Sequence, residues 1–142
     1  MRAAALGFVA MALACAAACA LAGSARLLGP FVASIGVICT AATPALRRQA
    51  GLVTLQAHGL CALLGLAAHA LLPALPAVAV LAAAPGFLLL RALGRPHAPA
   101  LAMLVVLALG GASTPELAGA LAMAVALWLG ALTWSRAPLA QA

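Results

Sequence analysis

Apolar residues fill six runs of the chain, and Gly, Pro and Arg are concentrated in the short segments between them. Ala and Leu dominate the runs, and none alternates between apolar and polar residues as a half-buried strand would. An open sheet would also leave backbone groups unsatisfied in lipid. The pattern therefore predicts an all-α chain. The runs cover residues 3–22, 27–43, 51–72, 74–93, 99–110 and 117–134.

Run length decides what each helix can do, because about 20 apolar residues cross a bilayer. Four runs are long enough, whereas the second and fifth are short and begin near Pro. We therefore predict a polytopic transmembrane helix bundle with four long spans and two short Pro-started helices, as a single transmembrane domain over residues 1–142. The first run ends in small residues like a signal peptide, but its length favours an uncleaved first helix.

Composition agrees with a membrane location. Hydrophobic residues make up 68% of the chain and charged residues only 6%. A soluble domain is usually about 45–50% apolar and about 25% charged. Too few polar residues remain to cover a solvated face, so the lipid bilayer is the predicted surrounding. The Arg residues stand without interleaved aromatics, which argues against a nucleic-acid partner.

The distribution of the seven Arg residues bears on topology. If all six runs cross, Arg26 stands alone on one side and the other Arg residues share the opposite side. If the two short runs turn back instead, the division is less uneven. The positive-inside rule therefore favours six crossings with cytoplasmic N- and C-termini. The predicted location is the inner (plasma) membrane of a bacterium, with four crossings as the open alternative.

The chain also contains a weak internal repeat. The segment 43–46 is Thr-Pro-Ala-Leu, and the segment 114–117 is Thr-Pro-Glu-Leu. Arg26, a Pro-containing turn and a short apolar run recur from Arg95 onwards. Three crossings in each half would invert the second half relative to the first. Many transporters share this inverted arrangement.

Polar residues within membrane helices are costly and are therefore candidates for function. At about 100° per residue, five small or polar residues of the third run fall within one narrow sector of its helix. They either line a hydrated path or form a contact with another helix. His58 lies deeper than His69, and about three turns separate them, too far to share a metal ion. The sector contains Thr54, His58, Cys61, Gly65 and His69.

The two Pro-started runs are the second candidate. Pro is tolerated in the first helical turn, where the N–H groups have no intrahelical partner. A helix start buried in the membrane presents these groups and a partial positive charge to an anion. The alternative is that both segments are ordinary loops at the membrane surface. The predicted anion-binding residues are Phe31, Ala33 and Ser34 at one start, His97, Pro99 and Ala100 at the other, and His58 beside the path.

Enzyme chemistry finds little support. The sequence has no Asp and a single Glu, Glu116, so it offers neither a carboxylate pair nor an acid for a catalytic triad. No Gly-rich phosphate loop precedes a Lys, because Lys is absent. We therefore predict a protein that is not an enzyme and that uses no cofactor or metal.

Three of these segments together resemble the HPP family of integral membrane proteins. The family is named for a His-Pro-Pro motif, usually followed by Ala-Gly-Ala, and the matching stretch 97–102 is His-Ala-Pro-Ala-Leu-Ala. The family's Phe-Gly-Ala-Ser resembles 31–34, Phe-Val-Ala-Ser, and its Gly-Gly-His resembles 56–58, Gln-Ala-His. The resemblance covers about 29–110. Ala98, Leu101 and Val32 depart from the motifs, as expected of a divergent member.

The resemblance implies a small-anion transporter or channel, since some family members are implicated in nitrite transport. It also implies four membrane spans, against the six favoured by the Arg residues. Our leading hypothesis is thus a membrane protein that passes a small inorganic anion, with nitrite as the first candidate, as a monomer or homo-oligomer. The rival hypothesis is a non-transporting subunit or scaffold whose Ala/Gly faces bind another membrane protein.

Overall fold

The computed structural model describes residues 2–21, 23 and 25–136. Within these residues the chain forms six α-helices and no strand, which confirms the prediction of an all-α protein. The helices are α1 (Arg2–Leu21), α2 (Leu28–Thr40), α3 (Pro44–Leu71), α4 (Pro76–Ala92), α5 (Ala98–Gly110) and α6 (Thr114–Arg136).

The helix α3 begins well before the apolar run that predicted it. Thr43 caps it by accepting a 3.2 Å hydrogen bond from the Leu46 N–H, and Pro44 occupies the first turn. Such a cap satisfies an amide that has no partner within the helix. The first turns carry Arg47 and Arg48, so the helix begins before the apolar run does. Hydropathy alone therefore placed its start too late, at residue 51.

Two helices in the described part of the chain are long and apolar enough to cross a membrane, Pro44–Leu71 and Thr114–Ser135. These two helices have the length and composition of membrane spans, and the bundle of four long spans stays a prediction. The helices α2 and α5 have 13 residues each. At 1.5 Å per residue each measures about 20 Å, short of the roughly 30 Å hydrocarbon core of a bilayer.

One end of the bundle is held together by Arg26. Its guanidinium pairs with the Glu116 carboxylate at 2.9 Å and donates to the Gly111 carbonyl oxygen at 2.9 Å. The imidazole of His69, near the end of α3, lies against Gly111. The connections α1–α2 and α5–α6 and the end of α3 therefore meet here, at what we name the Arg26 end.

The opposite end gathers around Trp134 of α6. Gly7 of α1 lies against the Trp134 ring, and the Arg47 guanidinium stacks over that ring at 4.4 Å. Arg48 donates to the Ser135 hydroxyl at 2.9 Å. We name this the Trp134 end. Along α3, Arg47 and His69 are separated by about 33 Å at 1.5 Å per residue.

The helix contacts repeat between the two halves of the chain. The contact of α1 with α2 corresponds to that of α4 with α5, and α1 with α6 corresponds to α4 with α3. Likewise α3 contacts α5, and α6 contacts α2. The correspondence breaks at one place in the described residues: α2 contacts α3, whereas α5 does not contact α6. The short helices are thus the second helix of each half.

The core lies where α2, α3, α5 and α6 converge. Phe31 and Ile35 of α2 and Leu104 and Leu107 of α5 are fully buried in it. The close approach of α3 and α5 depends on Gly65, because a Cβ there would lie 2.8 Å from the Leu104 carbonyl oxygen. Small residues permit such backbone contact in membranes, where no hydrophobic force drives helices together.

Candidate functional site

Four polar side chains meet inside this apolar bundle, and we name them the Ser–His cluster. Ser34 lies on α2, Thr54 and His58 lie on α3, and His97 is the N-cap residue of α5. Ser34 and Thr54 are fully buried, and His58 and His97 are only 2% and 4% exposed. Buried polar groups are costly unless hydrogen-bonded, so their partners matter.

Ser34 is the centre of the cluster. Its hydroxyl lies 2.9 Å from the Pro30 carbonyl oxygen, 3.1 Å from His97 Nε2 and 3.4 Å from His58 Nε2. The Thr54 hydroxyl lies 3.5 Å from His97 Nε2, at the outer limit of a hydrogen bond. A hydroxyl carries one proton and two lone pairs. Ser34 can therefore serve only one of these acceptors at a time.

The orientation of His58 is determined by its own helix. Its Nδ1 lies 2.9 Å from the Thr54 carbonyl oxygen, one turn earlier in α3. A carbonyl oxygen only accepts, so Nδ1 donates to it. The other ring nitrogen, Nε2, faces the Ser34 hydroxyl. The Phe31 ring stacks on the imidazole at a centroid distance of 4.5 Å, and the His97 ring meets it edge-on at 5.2 Å.

An open recess reaches His97 from the surface, and we name it the vestibule. Its volume is about 350 Å³. The end of α2, the first turns of α3 and the segment 94–97 form its walls. Gln49 and Arg95 are its polar side chains besides His97, and Arg95 donates to Gln56. The vestibule exists because α4 and α5 join beside the middle of α3, which leaves its first turns uncovered there.

A second, smaller cavity of about 70 Å³ lies against His58. Its lining comes from α3, α5 and α6, and His58 is the one polar side chain in it. Met103, Ala120 and Ala124 are among the apolar residues around it. His97 thus lines the vestibule and His58 lines this second cavity, whose rim includes exposed residues of α3 and α6, so the Ser–His cluster lies between the two spaces.

The structure brings four of the predicted site residues together and leaves three outside the contacts of the cluster. Phe31, Ser34, His58 and His97 touch one another. Ala100 is buried one turn into α5, Pro99 is half-buried beside it, and Ala33 is exposed on the opposite face of α2. Ala33 therefore does not line the cluster, because helical spacing turns it away from Ser34.

The helix start of α5 differs from the predicted anion site. The Ala100 and Leu101 N–H groups both donate to the His97 carbonyl oxygen, at 3.1 and 3.4 Å. Pro99 has no N–H, and Ala98 is exposed. The Ala100 and Leu101 amides are therefore already satisfied within the helix.

Sequence reasoning missed two parts of the site. Thr54 belongs to the predicted polar sector of α3 but was not among the predicted binding residues. The spacing of Thr54 and His58, four residues apart on one helix face, was the available signal. Arg95 and Gln49 are far apart in the chain, and nothing in their local sequences indicated a shared recess.

His69 lies outside the cluster. Its Nδ1 is 3.3 Å from the Ala108 carbonyl oxygen at the Arg26 end of the bundle. Among the described residues, no three His, Cys, Asp or Glu side chains are grouped so that they could hold a metal ion.

Comparison with known proteins gives no relative from which function can be transferred. No family model matches the chain, and neither a curated protein nor a solved structure matches it. The resemblance to the HPP family stays a prediction that rests on the motif residues themselves.

Proposed function

We propose that this protein passes a small inorganic anion, with nitrite as the first candidate, through the Ser–His cluster. The observation that carries the proposal is a buried set of imidazoles and hydroxyls between the vestibule and the second cavity beside His58. Polar side chains are expensive within an apolar membrane bundle, and their usual role there is in a substrate or ion path. The cluster is the narrow point of such a path.

The charges around the path favour an anion over a cation. Glu116 is the single acidic residue of the sequence, and it pairs with Arg26 at the other end of the bundle. A cation path would need carboxylates or carbonyls along it. Here Arg95 stands in the vestibule, and imidazole and hydroxyl groups follow. Positive charge and hydrogen-bond donors are what an anion requires.

The proposed membrane arrangement has six crossings, with both termini and the vestibule on the cytoplasmic side of a bacterial inner membrane. Arg47 and Arg48 lie at the Trp134 end, whereas Arg26 lies at the other end. This distribution follows the positive-inside rule. The short helices α2 and α5 cross where protein surrounds them, and the repeated helix contacts support an inverted repeat.

The motif residues support membership of the HPP family. Ser34, His58 and His97 come from the three stretches that resemble the family's motifs, and these three side chains meet in one cluster. Motif residues that converge in space, although they are far apart in sequence, are what a shared binding site requires. The departures at Val32, Ala98 and Leu101 lie next to these residues.

The experiment that tests this function is anion uptake into proteoliposomes that contain the purified protein. Nitrite, nitrate and chloride are compared, with His97→Ala as the test variant and His69→Ala as a matched control outside the cluster. We expect selective uptake that His97→Ala abolishes and His69→Ala retains. Folded protein that gives no uptake above empty liposomes would contradict the proposal.

That negative result would favour the scaffold hypothesis. Helix α4 packs on one side only and exposes Val80, Leu81 and Leu88. Such a face fits lipid, another membrane protein or a second copy in a homo-oligomer. Under the scaffold hypothesis, His97→Ala leaves assembly unchanged, while polar substitutions at Leu81 and Leu88 disrupt a complex.

A further inference from the structure

The hydrogen bonds of the Ser–His cluster leave an imbalance between donors and acceptors. His58 Nδ1 donates to the Thr54 carbonyl oxygen, so a neutral His58 is an acceptor at Nε2. The single hydroxyl proton of Ser34 lies within reach of that nitrogen, of His97 Nε2 and of the Pro30 carbonyl oxygen. The protonation of His97 therefore decides how the cluster is satisfied.

His97 has one nitrogen in the cluster and one to which the described residues offer no hydrogen-bond partner. Its Nε2 meets Ser34 and Thr54, while its Nδ1 makes no hydrogen bond within the described residues. The side chain is 4% exposed and lines the vestibule. Nδ1 is thus the atom of the cluster that is left to meet a ligand arriving from the vestibule.

A neutral His97 cannot donate on both sides at once, because it carries one N–H. With the proton on Nε2, it donates to Ser34, and Nδ1 presents a lone pair that repels an anion. With the proton on Nδ1, it donates to an anion, but Nε2 then depends either on the Ser34 proton, for which it competes with His58 Nε2, or on the Thr54 hydroxyl at 3.5 Å, the outer limit of a hydrogen bond. The imidazolium alone donates on both sides and releases the Ser34 proton to His58.

We propose that each anion enters the Ser–His cluster together with one proton, which His97 holds while the anion is bound. This proposal rests on the proposed function and adds that anion transport is coupled to the transport of a proton. The step balances as a proton transfer: the O–H bond of the incoming acid breaks, an N–H bond forms at His97 Nδ1, and the anion remains beside the imidazolium. Release reverses the step, and nothing is oxidised or reduced.

Among the described residues, no other charged group of the cluster could balance the charge of a bound anion. His58 of α3 is the one titratable group that meets it there, and α2 contributes the neutral Ser34. Arg95 belongs to the same segment but donates to Gln56 in the vestibule. No carboxylate among the described residues faces His97. An anion that left Arg95 without a proton would enter the buried cluster with no positive charge to compensate its own, which is costly.

The test measures nitrite and proton fluxes together in proteoliposomes. A pH-sensitive dye reports the internal proton concentration, and potassium with valinomycin sets the membrane potential. All rates are the increase over empty liposomes, which subtracts the passive entry of nitrous acid. We expect one proton for each nitrite. We also expect the nitrite uptake rate to change by less than about twofold when a potential of 100 mV is applied, because the anion and the proton together carry no net charge. For an ion that crosses with one net charge, the same potential changes the equilibrium ratio of inside to outside concentration about fifty-fold.

The variant His97→Gln separates coupling from folding. Its side-chain amide can still donate to Ser34, but it cannot take up a proton. We expect protein-dependent proton influx to fall at least about tenfold, as for loss of an essential proton carrier. His69→Gln serves as the matched control and keeps the coupling.

The possible outcomes distinguish the two proposals. Nitrite uptake that follows the membrane potential and brings no proton would overturn the coupling and leave the transport function standing. The absence of any protein-dependent uptake, from protein shown to be folded, would overturn both. Unchanged one-to-one coupling in His97→Gln would remove His97 as the proton carrier.

Discussion

Ser34 and His97 are 63 residues apart in the chain, yet the Ser34 hydroxyl lies 3.1 Å from His97 Nε2. Ser34 lies at the middle of the short helix α2, and His97 is the N-cap residue of the short helix α5. Their contact joins the two halves of the chain at the centre of the bundle. The narrowest part of the proposed path thus depends on a single hydroxyl that both imidazoles share.

Removing this hydroxyl is expected to damage both stability and transport. Ser34→Ala leaves His58 Nε2 without its hydroxyl partner and His97 Nε2 with only the 3.5 Å contact to the Thr54 hydroxyl. An unsatisfied buried polar group costs about 1–3 kcal/mol. We predict a lower unfolding temperature in detergent micelles and a loss of anion uptake. Ala33→Ser is the matched control, because Ala33 is exposed on the other face of α2. A Ser34→Ala variant as stable and active as the original would contradict the role of the cluster.

Two glycines of α3 provide a test of the packing. Gly65→Ala places a Cβ 2.8 Å from the Leu104 carbonyl oxygen and 2.9 Å from Leu107 Cβ, so α3 and α5 must separate. Overpacking of this kind costs about 1–3 kcal/mol. Gly59→Ala meets nothing within 4 Å and should stabilise the helix by up to about 1 kcal/mol. Thermal unfolding in the same detergent should therefore shift in opposite directions for the two variants.

The vestibule predicts a specific role for Arg95. Arg95→Gln removes the positive charge that meets an incoming anion. Because a charge-assisted hydrogen bond contributes about 1.5–3 kcal/mol, we expect the KM for nitrite uptake to rise about tenfold or more. The maximal rate should change little. Arg48→Gln is the control, since Arg48 donates to Ser135 outside the vestibule. Equal effects of the two substitutions would show that the general surface charge matters and the vestibule does not.

Cysteine labelling distinguishes six crossings from four. In a background without the native cysteines, single cysteines replace Ala42, Ala74, Ala92 or Ser113. With six crossings, positions 42 and 92 react with a membrane-impermeant reagent from the cytoplasmic side, and positions 74 and 113 react from the opposite side. If α2 and α5 turn back within the membrane, position 113 reacts from the same side as 42 and 92. Position 113 therefore decides between the two topologies.

Much of the architecture was predictable because the bilayer imposes simple rules on a sequence. Six Ala- and Leu-rich runs separated by Pro, Gly and Arg predicted six helices, and each lies where a run was assigned. The ends were less predictable. The helix α3 extends back to Pro44 because Thr43 caps it, and this local hydrogen bond outweighs the polarity of Arg47 and Arg48. Hydropathy averages over such caps and therefore misses them.

The candidate site was predictable only in part. His58 is predicted because a polar residue within an apolar run is costly, and Ser34 and His97 are predicted because they lie beside the starts of the two short Pro-started runs. Neither argument needs a structure. Ala33 was included through its place in a motif, and the helix turns it away from the others. The sequence predicts that the first amides of α5 bind an anion, whereas the structure shows that the Ala100 and Leu101 N–H groups donate to the His97 carbonyl oxygen.

Local physics thus determined from the sequence that this chain forms apolar helices, where they break and which polar residues they bury. It could not determine which of those residues meet, since the distance between Ser34 and His97 depends on how two short helices pack. That packing is decided by close contacts such as the one at Gly65, where the absence of a side chain lets α5 lie against α3. The vestibule likewise depends on where α4 ends and α5 begins along the length of α3, which is decided only when the helices pack together.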